Sequence, residues 1–223
     1  MNIPLTHLRF LDRAEAQFGG KTGVIDGESS WTYVEYASRC RQLANSLQKM
    51  NLSPGSRVAC LAYNTHHLLE AYYGVNLAGG VLVPLNIRLS PPEFEFILND
   101  CQAEIVFFNQ GLGHLLEKIQ DRVELDRQFV LLDSETPPDW AHPRCLEELL
   151  SEQSPERAVE LMQINEDSVA EIFYTSGTTG HPKGVMLTHR NLYLHGLEAA
   201  LATGATDADV VLHVIPLFHV NGW

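Results

Sequence analysis

Between residues 174 and 185 the sequence reads Tyr174-Thr-Ser-Gly-Thr-Thr-Gly-His-Pro-Lys-Gly-Val185, with three glycines, four serine or threonine hydroxyls and one lysine. Glycines let the backbone approach a ligand closely, N–H groups and hydroxyls donate to an anion, and the lysine adds a mobile positive charge. The apolar run 169–173 predicts a strand before this stretch, and a helix is expected to begin within residues 186–192. The pattern therefore predicts a phosphate-binding loop.

Two widespread nucleotide-binding motifs do not match this loop. A Walker loop requires a glycine, four further residues and then Gly-Lys-Ser/Thr, and counted from Gly177 the second glycine falls on Pro182. The dinucleotide fingerprint G-x-G-x-x-G fails at Thr179. The segment Gly111-Leu-Gly113 begins such a fingerprint, but Leu116 stands in place of its last glycine. The loop is therefore of another kind.

Upstream of the loop, strand patterns alternate with helix patterns. A hairpin is predicted over residues 22–33 around Asp26-Gly27, and Ser90-Pro-Pro-Glu93 indicates a helix start. Further strands are predicted at residues 57–62, 81–83, 104–108 and 129–132, and helices at residues 5–18, 33–50, 66–78, 91–98, 112–120 and 145–153. This alternation predicts an α/β fold with a mainly parallel sheet flanked by helices. The apolar run 210–215 predicts one more strand near the end.

Composition limits the class of protein. The chain has 223 residues, enough for one large domain or two small ones. Its formal charge of -13 argues against nucleic acid or an anionic membrane as the main partner, although a local pocket can still bind nucleotide phosphates. No stretch approaches the roughly 18 apolar residues of a transmembrane helix, and the N-terminus lacks a signal-peptide pattern. The four cysteines have no paired spacing, so we expect free thiols in a reducing compartment, by default the cytoplasm.

The stretch from Tyr174 to Val185 resembles the phosphate loop of the adenylate-forming enzymes, which include acyl-CoA synthetases, luciferases and peptide-synthetase adenylation domains. Other segments agree with this resemblance. Ser30-Trp-Thr-Tyr33 is similar to an early turn of that family, residues 74–86 to its second block, and Pro216-Leu-Phe-His219 to its fourth block, which borders the acyl pocket. Residues 84–88 and 218–223 look most like fatty-acyl and short- or medium-chain acyl-CoA ligases. The resemblance spans the whole chain.

The resemblance implies a reaction and its ligands. Enzymes of this family join a carboxylate to ATP, release pyrophosphate, and usually transfer the acyl group to coenzyme A. ATP, Mg²⁺, coenzyme A and a carboxylic acid, in particular a fatty acid, are the implied ligands. Phosphate binding is carried over to Thr175, Ser176, Gly177, Thr178, Thr179, Gly180 and Lys183. Thr175 is also a candidate Mg²⁺ ligand, Lys183 is expected to balance the leaving pyrophosphate, and no catalytic residue is assigned.

One histidine is assigned to a site. His219 is predicted to line the substrate pocket, and packing between Phe218 and Val220 at a strand end is the alternative. His66 and His67 begin a helix and have no partner at a metal-binding spacing, so no metal site is predicted there. Structural or exposed positions are expected for His189, His195 and His213.

The sequence stops at Trp223 on an apolar run, which predicts a cut within a larger fold. The resemblance implies that the adenine, ribose and hinge blocks and a C-terminal lobe with a catalytic lysine lie beyond this chain. The predicted division of an incomplete N-terminal domain is residues 1–153 as a first α/β portion, 154–168 as a connector and 169–223 as the phosphate-loop portion. The resemblance also implies an antiparallel or mixed part of the sheet near the loop.

Three interpretations of function follow from these expectations. The leading one is a fragment of an ATP-dependent acyl-CoA ligase that is inactive by itself. The alternatives are an adenylation domain with another acceptor and a non-catalytic nucleotide-binding or interaction module. The sequence leaves the oligomeric state open, with a homodimer among the options.

Overall fold

The structure is a computed structural model that describes residues 3–123, 128–133, 137–141, 143–157, 161–175, 180–220 and 222–223. The strands, in chain order, are β1 (Thr22–Asp26), β2 (Ser29–Thr32), β3 (Arg57–Leu61), β4 (Val81–Pro84), β5 (Ile105–Phe108), β6 (Gln128–Leu131), β7 (Arg144–Cys145), β8 (Val169–Thr175) and β9 (Lys183–Thr188). The helices are α1 (Leu8–Phe18), α2 (Tyr33–Lys49), α3 (His66–Leu77), α4 (Pro91–Asp100), α5 (Gly113–Glu117), α6 (Leu146–Ser151) and α7 (His189–Thr203). Short 3₁₀ helices lie at Gln110–Leu112, Gln120–Arg122 and Leu161–Gln163.

The central sheet has seven strands in the order β7-β6-β5-β3-β4-β8-β9. Neighbouring strands are parallel except β8 and β9, which are antiparallel. In the middle of the sheet, Cys60 is level with Pro84 on one side and Phe107 on the other. Strands β4 and β5 are buried along their whole length, as the continuous apolar runs of a parallel sheet covered on both faces require. The predicted α/β fold with a mainly parallel sheet is confirmed.

Helices cover both faces of this sheet. Ile105 and Phe107 of β5 belong to the apolar core that also contains residues of α1, α2, α3 and α6. Val106 and Phe108 belong to the core that contains residues of α4 and α5. Alternate side chains of a strand point to opposite faces, so the two cores lie on opposite sides of the sheet. The architecture therefore has three layers, helices–sheet–helices.

Local signals place several elements where the sequence predicts them. β1 and β2 form the predicted antiparallel hairpin, and Gly27 in its turn has φ of 61°, a conformation that favours glycine. The Thr32 hydroxyl accepts the Glu35 N–H at 3.3 Å while the Glu35 carboxylate accepts the Thr32 N–H at 2.7 Å, and this capping box starts α2. Helix α4 begins at the predicted position after Ser90.

Three elements differ from the predictions. The run 210–215 is not a strand: Val210 and Leu212 are 85% and 83% exposed, and no strand of the described residues pairs with the run. An apolar pattern forms a strand only where a neighbour supplies backbone hydrogen-bond partners. Strand β9 is not predicted, although α7 begins at His189 within the expected window. The predicted helix 112–120 is shortened to α5, with 3₁₀ helices at Gln110–Leu112 and Gln120–Arg122 on its two sides.

The cysteine thiols and the helix lengths bear on two expectations that the composition raised. All four cysteines are free thiols, with Cys40, Cys60 and Cys101 buried and Cys145 partly exposed. Burial raises the pKa of the Cys60 thiol, which favours its uncharged form. Within the described ranges, none of the helices combines the length and the apolar character needed to cross a bilayer.

Candidate phosphate-binding site

The predicted phosphate loop connects the two strands of the β8–β9 hairpin. The strands pair from Val169 with Thr188 at one end to Thr175 with Lys183 at the other, which is the mouth of the hairpin. Directly opposed residues of such a pair have Cβ atoms about 4.5–5.5 Å apart. The side chains of Thr175 and Lys183 are both exposed. Strand pairing therefore places the side chains of a threonine and a lysine next to each other at the point where the loop begins and ends.

The described part of the loop contains one residue that must be glycine for conformational reasons. Gly180 has φ of +106°, a value that L side chains rarely adopt, and an added Cβ would meet no atom within 4 Å. The backbone conformation rather than lack of space requires glycine here. The four other predicted phosphate-binding residues lie outside the described residues: Ser176, Gly177, Thr178 and Thr179. Thr175, Gly180 and Lys183 therefore lie at one hairpin mouth, and their role in binding stays a prediction.

Helix α4 holds this hairpin from the side. The Tyr174 hydroxyl donates a hydrogen bond to the Asp100 carboxylate, and the His181 ring stacks on Phe96 with ring centroids 4.7 Å apart. Burial and the Asp100 carboxylate raise the pKa of Tyr174, so the phenol stays protonated. The sequence does not predict these contacts, because α4 precedes the loop by some eighty residues. The sequence signal that bears on these contacts is the i, i+4 spacing of Phe96 and Asp100, which puts both residues on one face of α4.

We expect Gly184→Ala to disturb this support. A Cβ at Gly184 would lie 2.9 Å from Ile172 Cγ2 and 3.2 Å from Tyr174 Cζ, so the Ile172 side chain must move and the Tyr174 ring must give way by a few tenths of an ångström. Overpacking of this kind costs about 1–3 kcal/mol of unfolding free energy, measurable by urea denaturation. Gly20→Ala is the matched control, because a Cβ at Gly20 meets nothing within 4 Å. Equal losses in the two variants would contradict the proposed close packing.

A buried acid lies within β8, behind the hairpin mouth. Glu171 is 0% exposed and is level with Leu82 of β4 and Leu187 of β9. Neither carboxyl oxygen has a hydrogen-bond partner in the described part of the chain. Burial raises the pKa of Glu171 well above its usual range, and the nearby indole of Trp223 opposes this shift only in part. The protonated form is therefore favoured, a property that the sequence pattern does not indicate.

The Glu171→Gln variant should change how stability depends on pH. The folded chain retains a proton that the unfolded chain releases near pH 4.5, so the contribution of Glu171 to stability is lost as pH rises from that value towards the folded-state pKa. Glutamine carries no such proton, so the variant should gain stability relative to the parent protein as pH rises across this window. Urea unfolding between pH 4.5 and 8 measures the difference. A difference that is constant with pH would refute the buried, protonated state.

Two buried histidines also make the stability of the fold depend on pH. Their effect has the opposite sign to that of Glu171. Burial lowers the pKa of His189 to about 4, and burial together with the neighbouring His189 lowers the pKa of His7 to about 3. Unfolding lets both rings take up protons below pH 6.5, so their contribution to stability is lost as pH falls. These effects are common to the parent protein and the Glu171→Gln variant, and they largely cancel in the measured difference.

His219 has no described contact with the hairpin mouth. Its ring is exposed and its backbone N–H donates to the Pro216 carbonyl at 3.0 Å. The segment is anchored to the start of α3, because the Leu217 N–H donates to Asn64 Oδ1 at 2.8 Å. Among the described residues no strand leads directly into His219, so the strand end of the alternative is not observed, but the His219 ring lies beside Phe218 with centroids 6.0 Å apart. The pocket role of His219 stays a prediction.

The remaining histidines divide between the core and the surface. His189 is buried, with its Nδ1 3.0 Å from Thr6 Oγ1, whereas His195 and His213 are exposed. These positions agree with the structural or exposed roles expected for all three. His66 and His67 lie at the start of α3, as predicted, but they lie next to acidic side chains from other elements.

Fold and hairpin together define an α/β domain in which an antiparallel hairpin with a glycine-rich connection forms one edge of a mainly parallel sheet. The family model described as AMP-binding enzyme matches residues 11–223, and the chain belongs to this family. A long-chain-fatty-acid–CoA ligase of Thermus thermophilus is 39% identical over 220 residues, which are 96% of this chain and 39% of the relative. The resemblance inferred from the loop and its flanking segments is therefore confirmed.

Solved structures show the same architecture. A long-chain-fatty-acid-CoA ligase from Archaeoglobus fulgidus superposes with a TM-score of 0.86 at 28% identity, over 100% of this chain and 44% of that one. ATP-bound MatB from Rhodopseudomonas palustris has a TM-score of 0.78 at 27% identity, over 96% of this chain and 41% of that one. The chain thus spans about two fifths of the length of the proteins that it matches.

Proposed function

We propose that the protein carrying this chain is an ATP-dependent acyl-CoA ligase that activates a carboxylic acid, in particular a fatty acid, as an acyl-adenylate and transfers it to coenzyme A. Family membership over residues 11–223 is the observation that carries this proposal. Two of the similar proteins are named as long-chain-fatty-acid ligases, and one similar structure holds ATP. In this proposal the mouth of the β8–β9 hairpin is the site for the phosphates of ATP.

The hairpin mouth fits a phosphate group. Thr175 and Lys183 are exposed and directly opposed, and Gly180 holds a backbone conformation open to close approach. In this proposal the hydroxyl of Thr175 and those of the loop residues donate to phosphate oxygens, and the Lys183 ammonium neutralises the departing pyrophosphate. When bound, Mg²⁺ would share this negative charge, and the Thr175 hydroxyl oxygen is a candidate ligand for it. His219 is proposed to line the acyl pocket.

Pyrophosphate exchange tests the proposed first half-reaction. The full-length protein should incorporate pyrophosphate into ATP only when a suitable carboxylic acid is present, and a panel from short to long acyl chains would define the preferred acid. Formation of an acyl thioester with free coenzyme A tests the second half-reaction. Exchange without thioester formation would indicate another acceptor. Absence of exchange with every acid would refute the ligase proposal.

The behaviour of the 223-residue chain by itself is a separate proposal. We infer that this chain is inactive alone and comprises the three portions 1–153, 154–168 and 169–223, since the resemblance assigns the adenine and ribose contacts to other blocks. Calorimetric titration with ATP and Mg²⁺ tests this, and tight binding by the chain alone would instead support an autonomous nucleotide-binding module. A cytoplasmic location is proposed from the four free thiols, and sedimentation would show whether a homodimer forms.

A further inference from the structure

A second polar cluster lies where the β1–β2 hairpin, α2, the start of α3 and the start of α6 meet. One ring nitrogen of His66, one of His67 and one carboxylate oxygen of Glu147 all lie within 4.8 Å of one another. Glu147 is 80 residues from His67 in sequence, so no spacing rule reveals the group. These residues share no position with the hairpin mouth, and the ligase proposal assigns them no role.

His67 and Glu147 already have the spacing of two ligands on one metal ion. His67 Nε2 lies 3.3 Å from Glu147 Oε1. Two ligands bound to Zn²⁺ at about 2.0–2.2 Å and at a tetrahedral angle lie about 3.4 Å apart. All separations in the group are at most 4.8 Å, so the widest needs to close by no more than about 1.4 Å. The Glu147 side chain, 42% exposed, has room for this movement.

The first histidine has the support that metal-binding histidines usually have. His66 Nδ1 lies 2.7 Å from Asp26 Oδ2, and the same carboxylate oxygen accepts the His66 backbone N–H at 3.0 Å. A neutral His66 that donates from Nδ1 to Asp26 has its lone pair on Nε2, the nitrogen that it would offer to a metal. A carboxylate on the other ring nitrogen of a ligand fixes the tautomer and increases its basicity. Trp31 stacks on the His66 ring, with centroids 4.2 Å apart, and holds its orientation.

The charges around the cluster favour a divalent cation. Asp26, Glu70 and Glu147 contribute three negative charges and Arg39 one positive charge, which leaves a formal charge of about −2. Arg39 donates to both Glu70 and Glu147. A carboxylate oxygen has two lone pairs, so Glu147 can accept from Arg39 and still bind a metal. The positive end of the α3 dipole opposes a cation, and Asp26 at that helix end offsets this effect.

An ion can reach the cluster from solvent. The side chains of His66 and His67 are 15% and 11% exposed, so both are largely shielded while remaining at the surface. Two imidazoles and one carboxylate form a donor set suited to Zn²⁺, which commonly keeps water in its fourth position. We propose that His66, His67 and Glu147 bind Zn²⁺, with Asp26 as the supporting carboxylate. The ion would tie the start of α3 to α6.

Calorimetric titration of the full chain with Zn²⁺, after dialysis against a chelator, tests this proposal. We expect binding with one ion per chain. His67→Ala and Glu147→Gln each remove a ligand and should weaken Zn²⁺ binding at least tenfold, and Asp26→Asn should weaken it about 10–100-fold. His195→Ala is the matched control, because it removes an exposed imidazole outside the cluster. Titration with Co²⁺ should give visible absorption typical of a four-coordinate site, which is lost in His67→Ala.

Two results would overturn the proposal. The first is absence of stoichiometric Zn²⁺ binding by the parent chain. The second is Zn²⁺ affinity that falls no further in His67→Ala and Glu147→Gln than in the His195→Ala control, which would indicate an adventitious ion only. Circular dichroism of each variant shows whether it is folded, and His66→Gln replaces any variant that is not. These measurements do not involve adenylation, so a result that overturns the zinc site would leave the ligase proposal unchanged.

Discussion

In the full-length protein, Lys183→Ala is expected to lower carboxylate-dependent pyrophosphate exchange by about 10²–10³-fold, the usual cost of removing one preorganised charge-stabilising donor. The Lys183 side chain is exposed at the hairpin mouth, opposite Thr175. Because this side chain is exposed, the unfolding free energy should change by no more than about 0.5 kcal/mol. Initial rates of exchange and urea denaturation measure the two effects separately.

A matched control separates the role of Lys183 from a general loss of positive charge. Lys49→Ala removes an exposed lysine from the end of α2, outside the hairpin, and should leave exchange unchanged. Full exchange activity in Lys183→Ala, with unchanged stability, would count against the assigned role at the leaving pyrophosphate. A loss of activity that parallels a loss of folded protein would show that the effect is structural.

Arg39→Ala should produce the largest loss of stability among the polar substitutions considered. Arg39 donates to Glu70, which is 0% exposed, and to Glu147. Removal of the guanidinium leaves the Glu70 carboxylate buried without its cationic partner, a change that typically costs 3–5 kcal/mol, so we expect a loss of about 4 kcal/mol. The packing of the guanidinium over Trp31, 5.9 Å from its ring centroid, is lost as well. Urea and thermal denaturation measure the effect.

Two further variants test whether the stability lost in Arg39→Ala comes from the unpaired charge of Glu70. Arg144→Ala removes the guanidinium of a pair with Glu152 in which both side chains are about half exposed, and it should cost less than about 1 kcal/mol. Replacing both Arg39 and Glu70 by methionine removes the unpaired charge and should recover much of the lost stability. Equal effects of Arg39→Ala and Arg144→Ala would show that the Arg39–Glu70 pair does not stabilise the fold.

Local patterns were sufficient for most elements upstream of the loop. The buried strands β4 and β5 are short apolar runs bounded by helix patterns, and burial on both faces of a parallel sheet requires such runs. The starts of α2 and α4 follow from capping residues that act within a few positions. These signals depend only on neighbours in sequence, so they can be read from the amino-acid sequence without a structure.

Local patterns did not predict which apolar runs pair with a neighbouring strand. Residues 183–188 and 210–215 both contain strand-forming apolar residues, yet only the first run pairs, with β8, and the second is exposed. Whether an apolar run becomes a strand depends on hydrogen-bond partners that other segments supply. The same limit applies to the support of Tyr174 by Asp100, because a contact between distant segments leaves no periodic trace in either of them.

By itself, the sequence determined the fold class and the family and predicted the phosphate loop, because each is contained in patterns of glycine, hydroxyl and apolar residues. Only the tertiary structure decided which side chains meet. Pairing of β8 with β9 placed Lys183 opposite Thr175, and packing of α6 near the start of α3 brought Glu147 to His67. The physical reason is that hydrogen bonds and charge interactions act over a few ångströms in space, regardless of how many residues separate the groups in the chain.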